Sequence, residues 1–458
     1  MGLKEANIYL DNQWNTYYAG QTVNGRIEYV FDSPKQVRGI HVKFKGEAHT
    51  EWHESKQKED AHGKTHSTYT MHTGHEEYFQ ISYYLLGSNS GNEITIPPGK
   101  QVYSFSCSLP PVLPSSFEGE HGYVRYTVKV TLDRPWKFDQ ETKMAFTVIN
   151  TLDLNLNPSY KAPIRIQLEK TFCCLCCASA PMAVDVQAPV SGYCPGQVIP
   201  IQIDVDNKSN VQLHLVKIYL RKVVTYRATS PGTTTKTVKA RVLSVQEGPA
   251  PAGTTKHWTL SMEVPPLPPS NLVNCNIIDL DYDFKVECVV SGMHCNMHDK
   301  RYITIGTVPL VGLEGQPAPA PGPDPAPATS PQYPAPQYPT PQYPAPPYPT
   351  PQYPAPQSPS QPAVLPVPAG QPAQPYPPAV AGAGGAGDAP GGGWAVPSAP
   401  PFQALYPTLA APVYKESQYS ARTLQERGES GHVGVAGPAQ FAPHYPTYAA
   451  VLPPPLPR

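Results

Sequence analysis

The stretch WNTYYAGQTVNGRIEYVFDSPKQVRGIHVKFK (14–45) aligns without a gap with VSGYCPGQVIPIQIDVDNKSNVQLHLVKIYLR (190–221). Tyr17 falls on Tyr193, and the Gly-Gln pair at 20–21 falls on the pair at 196–197. Further matches follow in the same order: LPPVLPS (109–115) with VPPLPPS (264–270), and RYTVKV (125–130) with DYDFKV (281–286). A shared order of motifs in two halves indicates two copies of one structural unit.

The repeated unit has the pattern of β-strands. Apolar residues alternate with polar ones, and this period of two is typical of a strand with one buried face. The alternating sets are Val23, Ile27, Tyr29 and Phe31; Ile40, Val42 and Phe44; and Ile199, Ile201, Ile203 and Val205. Turn residues bound these short runs, and residues 1–310 contain no convincing amphipathic helix. The sequence therefore predicts an all-β fold with two tandem sandwiches, 5–156 and 163–307, joined near 157–162.

Residues 310–458 have a different composition. Most of the 60 prolines lie there, among Ala, Tyr and Gly, with few branched aliphatic or charged residues. Burial of so little apolar surface could not offset the entropy of ordering the chain. We expect this segment to be a disordered tail.

Composition also excludes several classes of function. The net charge of −1 argues against nucleic-acid binding, which needs a clustered basic surface. No apolar run is long enough to cross a membrane, and the start of the sequence lacks a secretory signal, so we expect a cytoplasmic protein. We find no catalytic motif and no motif for a cofactor, and we therefore expect neither an enzyme nor a cofactor.

Several of these features together resemble the arrestin-domain-containing proteins, or α-arrestins. They are the tandem sandwiches with a leading Gly-Gln turn, LPPVLPSSFEGEHGYVRYTVKV (109–130) and KTFCCLCC (170–177). The resemblance implies an arrestin-like N-terminal and C-terminal domain and a non-enzymatic adaptor. Such an adaptor binds membrane receptors or transporters as cargo and recruits WW-domain HECT ubiquitin ligases through PPxY motifs in its tail. It implies recruitment to the plasma membrane and endosomes, and a role in endocytosis and protein transport.

Six histidines crowd a polar stretch between strand signals: His49, His53, His62, His66, His72 and His75. The i,i+4 spacing of two pairs would suit a metal on a helix, but no cysteine partner stands at zinc spacing. We favour a solvated hairpin loop and expect no metal site.

Four cysteines crowd the segment FCCLCC: Cys173, Cys174, Cys176 and Cys177. One interpretation is a strand whose small thiols pack on both faces. The other is S-acylation, which would hold an adaptor at the membrane.

Receptor-binding arrestins sense phosphate with paired lysines on the first strand. Here the first strand (7–12) has no lysine. Positive charge could come from Lys43, Lys45, Arg125 and Lys129. Phosphate-triggered activation is therefore not predicted.

The tail contains a pentapeptide repeat of the type PQYPA at 331–360. Such a chain favours polyproline II, which WW domains read through Pro and Tyr. Every repeat has x-P-x-Y in place of PPxY, so direct ligase recruitment is in question, and a plain spacer is an equal alternative. The weak WW-type pairs are Pro331/Tyr333, Pro336/Tyr338, Pro341/Tyr343, Pro351/Tyr353 and Pro412/Tyr414.

Two further motifs lie close together in PSAPPFQALYPTL (397–409). Pro397, Ser398, Ala399 and Pro400 form a P-S-A-P core that resembles ligands of the ESCRT UEV domain. Leu405, Tyr406, Pro407 and Leu409 fit L-Y-P-x-L, which resembles ligands of ALIX-type proteins, and the same tyrosine fits the clathrin-adaptor signal Y-x-x-Φ. The prolines set an extended backbone in advance, which lowers the entropy lost on binding. Pro453, Pro457 and Arg458 fit P-x-x-x-P-R, an SH3 ligand.

The sequence thus predicts a trafficking adaptor that recruits ESCRT-type and ubiquitin-ligase machinery. The alternative is a structural or scaffolding protein that acts through its Tyr/Pro-rich repeat. That alternative requires neither the β-domains nor the P-S-A-P motif.

Overall fold

The computed structural model describes residues 3–59, 65–88, 92–174, 177–311, 411–417, 421–424, 433–436 and 440–448. Within these residues the regular structure is β, apart from one short 3₁₀ helix, Pro158–Lys161. No helix of the described part is long and apolar enough to cross a bilayer.

The N-terminal domain is built from two facing sheets. Its strands are β1 Leu3–Leu10, β2 Thr16–Tyr18, β3 Thr22–Phe31, β4 Lys35–Val37, β5 Gly39–Glu59, β6 Thr65–Gly87, β7 Ile94–Ile96, β8 Gly99–Ser108, β9 Phe117–Gly119, β10 Gly122–Asp133 and β11 Gln140–Ile149. One sheet has the order β1-β3-β8, and the other has the order β2-β11-β10-β5-β6 with β9 added to β10. The small pair β4-β7 lies beside them.

The C-terminal domain repeats this arrangement. Its strands are β12 Ile164–Lys170, β13 Cys173–Cys174, β14 Cys177–Ala178, β15 Met182–Ala188, β16 Gly192–Tyr193, β17 Val198–Asn207, β18 Leu213–Ala228, β19 Thr234–Glu247, β20 Thr254–Glu263, β21 Ile278–Val290 and β22 Met297–Ile305. The order β16-β22-β21-β18-β19 matches β2-β11-β10-β5-β6, and β15-β17-β20 matches β1-β3-β8. The two-sandwich fold predicted from the repeat is confirmed.

The cores follow the alternation read from the sequence. The strands β3 and β17 bury every second residue, and the aligned pairs Ile27/Ile203 and Phe44/Leu220 are all fully buried. The two copies also share polar detail: Tyr126 Oη donates to Pro114 O at 2.7 Å, and Tyr282 Oη donates to Pro268 O at 2.8 Å.

One part of the alignment needs a correction. Val148 N donates to Ser116 Oγ, and Ile305 N donates to Ser270 Oγ, each at 2.9 Å. The structural counterpart of Ser270 is therefore Ser116 and not Ser115, which the ungapped match of 109–115 with 264–270 had paired with it. The N-terminal domain carries one extra residue in this segment.

The two domains contact each other through main-chain hydrogen bonds. Thr307 N donates to Leu152 O at 2.9 Å, and a bridge joins Asp153 to Val308. The long β5–β6 hairpin reaches the C-terminal domain, where Thr73 and Ser230 exchange hydrogen bonds.

Short stretches of the proline-rich segment form strands on these domains: β23 Val413–Glu416, β24 Arg422–Thr423, β25 Val433–Val435, β26 Gln440–Phe441 and β27 His444–Thr447. The predicted disorder of 310–458 does not extend to these strands. Of them, β27 is buried through contacts with the domains, whereas β23 is largely exposed. Residues 312–410 lie outside the described residues.

Candidate functional site: a groove that holds the C-terminal tyrosines

The C-terminal strands lie along the edge of the N-terminal domain and across the junction of the two domains. We call the domain surface that contacts them the groove; it includes Tyr18, Ser116, Thr147, Pro195 and Thr307. The strand β23 pairs antiparallel with β27, so that Tyr414 faces Pro446. The strand β25 adds in parallel to the edge of β11, with Val433 opposite Glu141. Ala436 N then donates to Lys143 O at 2.9 Å, so the segment extends the sheet.

Tyr445 is the deepest anchor of this segment. It is 1% exposed, and its hydroxyl donates to Ser116 O at 2.9 Å. Burial raises the pKa of Tyr445 well above its usual range, and Tyr282 and Glu118 raise it further. The phenol is therefore held in its neutral, donating form.

Tyr448 joins the same segment to the C-terminal domain. Its hydroxyl donates to Thr307 O at 2.6 Å, and its main-chain N–H donates to Pro195 O at 2.9 Å. A Cβ at Gly196 would lie 1.9 Å from Tyr448 O, so the close approach requires glycine there. Tyr445 contacts the N-terminal domain and Tyr448 the C-terminal domain, so the two tyrosines span the junction.

Two further contacts fix the ends of the segment. Tyr414 Oη donates to Tyr18 Oη at 3.1 Å, and burial raises the pKa of both phenols. His444 N donates to Thr147 Oγ1 at 3.1 Å. Burial lowers the pKa of the His444 imidazole, which Glu416 partly opposes.

A buried ion pair lies beside Tyr445. Arg125 donates from Nε and Nη2 to the two carboxylate oxygens of Glu118, each at 2.8 Å, and its guanidinium lies 4.1 Å from the centre of the Tyr123 ring. Both charged side chains are almost completely buried. Across the junction, the ammonium of Lys222 lies 5.6 Å from the ring centre of Phe117, and burial lowers the pKa of Lys222.

Three of the four cations considered for phosphate sensing are already paired. Lys45 contacts Glu47 at 2.5 Å, Arg125 binds Glu118, and Lys129 donates to Glu141 at 2.7 Å. Burial, followed by Lys45 and Lys129, lowers the pKa of Lys43. A free basic cluster is not formed by these residues.

The histidines predicted in a hairpin loop lie mostly on the strands of a long hairpin. His49 is opposite His75 and Trp52 opposite His72 on the paired strands β5 and β6, which continue through most of the expected loop. His62 lies outside the described residues. Among the described residues no group of three or more His, Cys, Asp or Glu side chains is placed to hold a metal ion.

The cysteine segment forms a short hairpin and not the single strand predicted. The strand β13 pairs with β14, with Cys174 opposite Cys177. The chain reverses within FCCLCC, which a pattern of small apolar residues does not reveal. Cys176 lies outside the described residues, and acylation of the four cysteines stays a prediction.

Of the docking motifs, the described part contains only the pair Pro412/Tyr414. Tyr414 is half-buried and hydrogen bonded in the groove. The tyrosine of this pair therefore has a partner within the chain, and its role as a WW-type ligand stays a prediction. Sequence reasoning missed the groove and its anchors Tyr445 and Tyr448, although Pro443/Tyr445 fits the same x-P-x-Y pattern.

The other docking motifs stay predictions, because the structure does not describe the residues that form them. Among the WW-type pairs, this applies to the four in the pentapeptide repeat: Pro331/Tyr333, Pro336/Tyr338, Pro341/Tyr343 and Pro351/Tyr353. The P-S-A-P motif of 397–400, the L-Y-P-x-L motif of 405–409 and the P-x-x-x-P-R motif of 453–458 also lie outside the described residues.

Two duplicated sandwiches joined end to end, with the chain's C-terminal segment on their junction, define an arrestin-type fold. Residues 6–155 match the family described as "Arrestin (or S-antigen), N-terminal domain", and residues 178–310 match "Arrestin (or S-antigen), C-terminal domain".

Similar proteins show to which group of arrestin-fold proteins the chain belongs. The chain is 31% identical over 294 residues to Arrestin domain-containing protein 17 of Caenorhabditis elegans, covering 62% of this chain and 67% of that protein. It is 29% identical over 308 residues to Arrestin domain-containing protein 4 of Mus musculus (67% and 72% covered). It is 28% identical over 293 residues to the human Thioredoxin-interacting protein (63% and 71% covered). The chain belongs to the arrestin-domain-containing proteins of the α-arrestin type, which confirms the resemblance inferred from the sequence. Arrestin-family proteins are generally non-enzymatic adaptors.

Proposed function

We propose that this protein is a trafficking adaptor that binds membrane receptors or transporters through its two arrestin domains and recruits sorting machinery through its proline-rich segment. The arrestin-domain relatives support the adaptor role. The proposal places the protein in the cytoplasm, with recruitment to the plasma membrane and endosomes.

One observation carries the recruitment step. The motif at 397–400 ends about eleven residues before Ala411, and the motif at 405–409 ends about two residues before it; the described docked segment begins at Ala411. We therefore expect that docking of the described C-terminal strands keeps both motifs near the cargo-binding module. A partner assembly with receptors for both motifs would gain avidity, because the second contact becomes intramolecular.

Recruitment of a WW-domain ubiquitin ligase is a weaker part of the proposal. The Tyr414 pair is held in the groove, and its main chain is paired with β27. WW domains need an extended and accessible Pro/Tyr segment. We therefore assign this role to the repeat tyrosines, with SH3 proteins as partners of 453–458. Five tyrosines recur in the repeat, Tyr333, Tyr338, Tyr343, Tyr348 and Tyr353, and all but Tyr348 belong to the WW-type pairs named above.

The test is capture of partners by the full chain in cells. Pro397→Ala with Pro400→Ala should remove ESCRT UEV-domain proteins, and Pro407→Ala should remove ALIX-type proteins while it leaves a Y-x-x-Φ signal intact. Pro366→Ala with Pro368→Ala is the matched control, because it removes two prolines of the same segment outside both motifs. Partner capture that is indifferent to 397, 400 and 407 would overturn the ESCRT-type assignment.

A further inference from the structure

The turn between β10 and β11 exposes two aromatic side chains at the end of the N-terminal domain. Trp136 is 98% exposed and Phe138 is 80% exposed. The turn lies at the end of β10 where Asp133 pairs with Gly39, at the base of the β5–β6 hairpin, whereas the contact of that hairpin with the C-terminal domain is made at Thr73, farther along β6. Large aromatic side chains that stand together in water mark an interaction site more often than isolated apolar residues do.

The backbone of Trp136 has an unfavourable, left-handed conformation. Trp136 has φ of +58°, and the other non-glycine residues with positive φ in the described part of the chain are asparagines: Asn15, Asn271 and Asn274. Asparagine tolerates this left-handed region, whereas a bulky side chain rarely adopts it. Strain of this kind persists where the surrounding structure enforces it.

Hydrogen bonds of Arg134 hold the turn in this conformation. The Arg134 side chain donates from Nε to Phe138 O at 2.9 Å and also from Nη2 to the same oxygen. The Arg134 main-chain N–H donates to Asp139 Oδ1 at 3.2 Å. The arginine thus closes the turn from inside while the two rings remain outside.

Basic side chains surround the rings. A concave surface of about 710 Å³ is lined by both rings together with Arg38 and Lys137, and a neighbouring one of about 780 Å³ is lined by Lys35, Arg134 and Lys137. The cations are close enough that, after burial, Arg134 and Lys137 lower the pKa of Lys35.

The carboxylates near this loop are largely engaged. Asp133 accepts from Arg38 at 2.6 Å, and Asp139 accepts the main-chain N–H of Arg134. Asp32 lies near Lys35 and partly opposes the lowering of the Lys35 pKa. The lysines of the loop surface remain available for anionic groups.

We propose that the loop 133–139 docks the protein on an anionic lipid bilayer, with Trp136 and Phe138 inserted at the interface and Lys35 and Lys137 against lipid phosphates. Tryptophan and phenylalanine partition into the interfacial region, and basic residues beside them add attraction to anionic lipids. The loop 133–139 does not include Ser116, which accepts the hydrogen bond of the anchor Tyr445. It would add a lipid contact to whatever cargo the domains bind.

The test uses the full chain, produced without lipidation, and sedimentation with phosphatidylcholine vesicles that contain or lack phosphatidylserine. We expect binding to the anionic vesicles, weakened about tenfold by Trp136→Ser with Phe138→Ser. Lys35→Glu with Lys137→Glu should remove the preference for the anionic vesicles. Leu156→Ser with Met293→Ser removes two other exposed apolar side chains and should leave binding unchanged.

Insertion of Trp136 into the bilayer should also change the tryptophan fluorescence. Tryptophan emission should shift to the blue on addition of anionic vesicles, and Trp136→Phe should abolish that shift while it preserves binding. Soluble glycerophosphoserine should not compete, since it lacks the apolar layer. The proposal is overturned if the wild type ignores anionic vesicles, or if Trp136→Ser with Phe138→Ser binds them as well as the wild type does.

Discussion

Gly196 shows how one residue links the repeated fold to the docked segment. Gly20 and Gly196 occupy equivalent turns, with φ of +83° and +85°. The turns also share a side-chain contact, because Gln21 accepts from Tyr18 N and Gln197 accepts from Cys194 N. The neighbours differ: Pro111 lies 3.5 Å from a Cβ at Gly20, whereas Tyr448 O lies 1.9 Å from a Cβ at Gly196.

This pair supplies a prediction with an internal control. Gly20→Ala and Gly196→Ala should each lower the free energy of unfolding by about 1–2 kcal/mol, because both place a side chain at positive φ. Only Gly196→Ala should displace the segment 440–448, which hydrogen exchange of that segment measures. Equal exchange in the two variants would contradict the contact between Gly196 and Tyr448.

His444 should make docking sensitive to pH. Its pKa in the docked state lies below the usual 6.5 because the ring is buried, so protons bind more tightly to the released state. Above about pH 6.5 the ring is neutral in both states, and His444 does not weaken docking. As the pH falls below this value docking weakens, until the docked form also takes up a proton.

The measurement is protease sensitivity of 440–448 between about pH 7.5 and about pH 5.5. We expect sensitivity to rise toward acid in the wild type and to rise less in His444→Gln, which cannot titrate there. The carboxylate of Glu416 lies near this ring and partly opposes the lowering of the His444 pKa. A profile that is identical in the two proteins would assign the acid response to other groups.

At the scale of elements, periodicity predicted the strands that carry their own pattern. The alternation in β3, β5 and β17 was visible because one face of each strand packs on the core of its own domain. The strands β23 and β27, VYKE and HYPT, have no such pattern. The burial of β27 depends on contacts with residues that are far away in sequence, such as Ser116, and the local composition does not reveal those contacts.

The groove should protect strands that are unstable alone. A two-stranded hairpin is marginal in water, so a peptide of residues 408–458 should exchange its amides rapidly. In the full chain the amides paired between Val413–Glu416 and His444–Thr447 should exchange at least about tenfold more slowly. Equal rates in the peptide and the full chain would show that the segment does not rest on the domains in solution.

At the scale of the whole molecule, the segment 312–410 is a tether. It connects Val311, which follows the C-terminal domain, to Ala411 at the start of the docked segment, and it contains the Pro/Tyr repeat and the motifs at 397–409. Docking closes this tether into a loop, so its length enters the equilibrium between docked and released states.

The last prediction concerns that length. Loop closure costs about (3/2)RT ln n, so deletion of half of the tether should favour docking by about 0.6 kcal/mol, a modest effect. Cleavage of the tether at an inserted protease site near residue 370 should have a larger effect, because docking then becomes bimolecular and is lost on dilution. The readout is retention of the fragment 371–458 on the domains during gel filtration at decreasing concentration. Tyr445→Ala, which removes the buried anchor, should release the cleaved fragment at every concentration tested. A cleaved fragment that dissociates no more readily with Tyr445→Ala than without it would show that the groove around Ser116 is not what holds the segment.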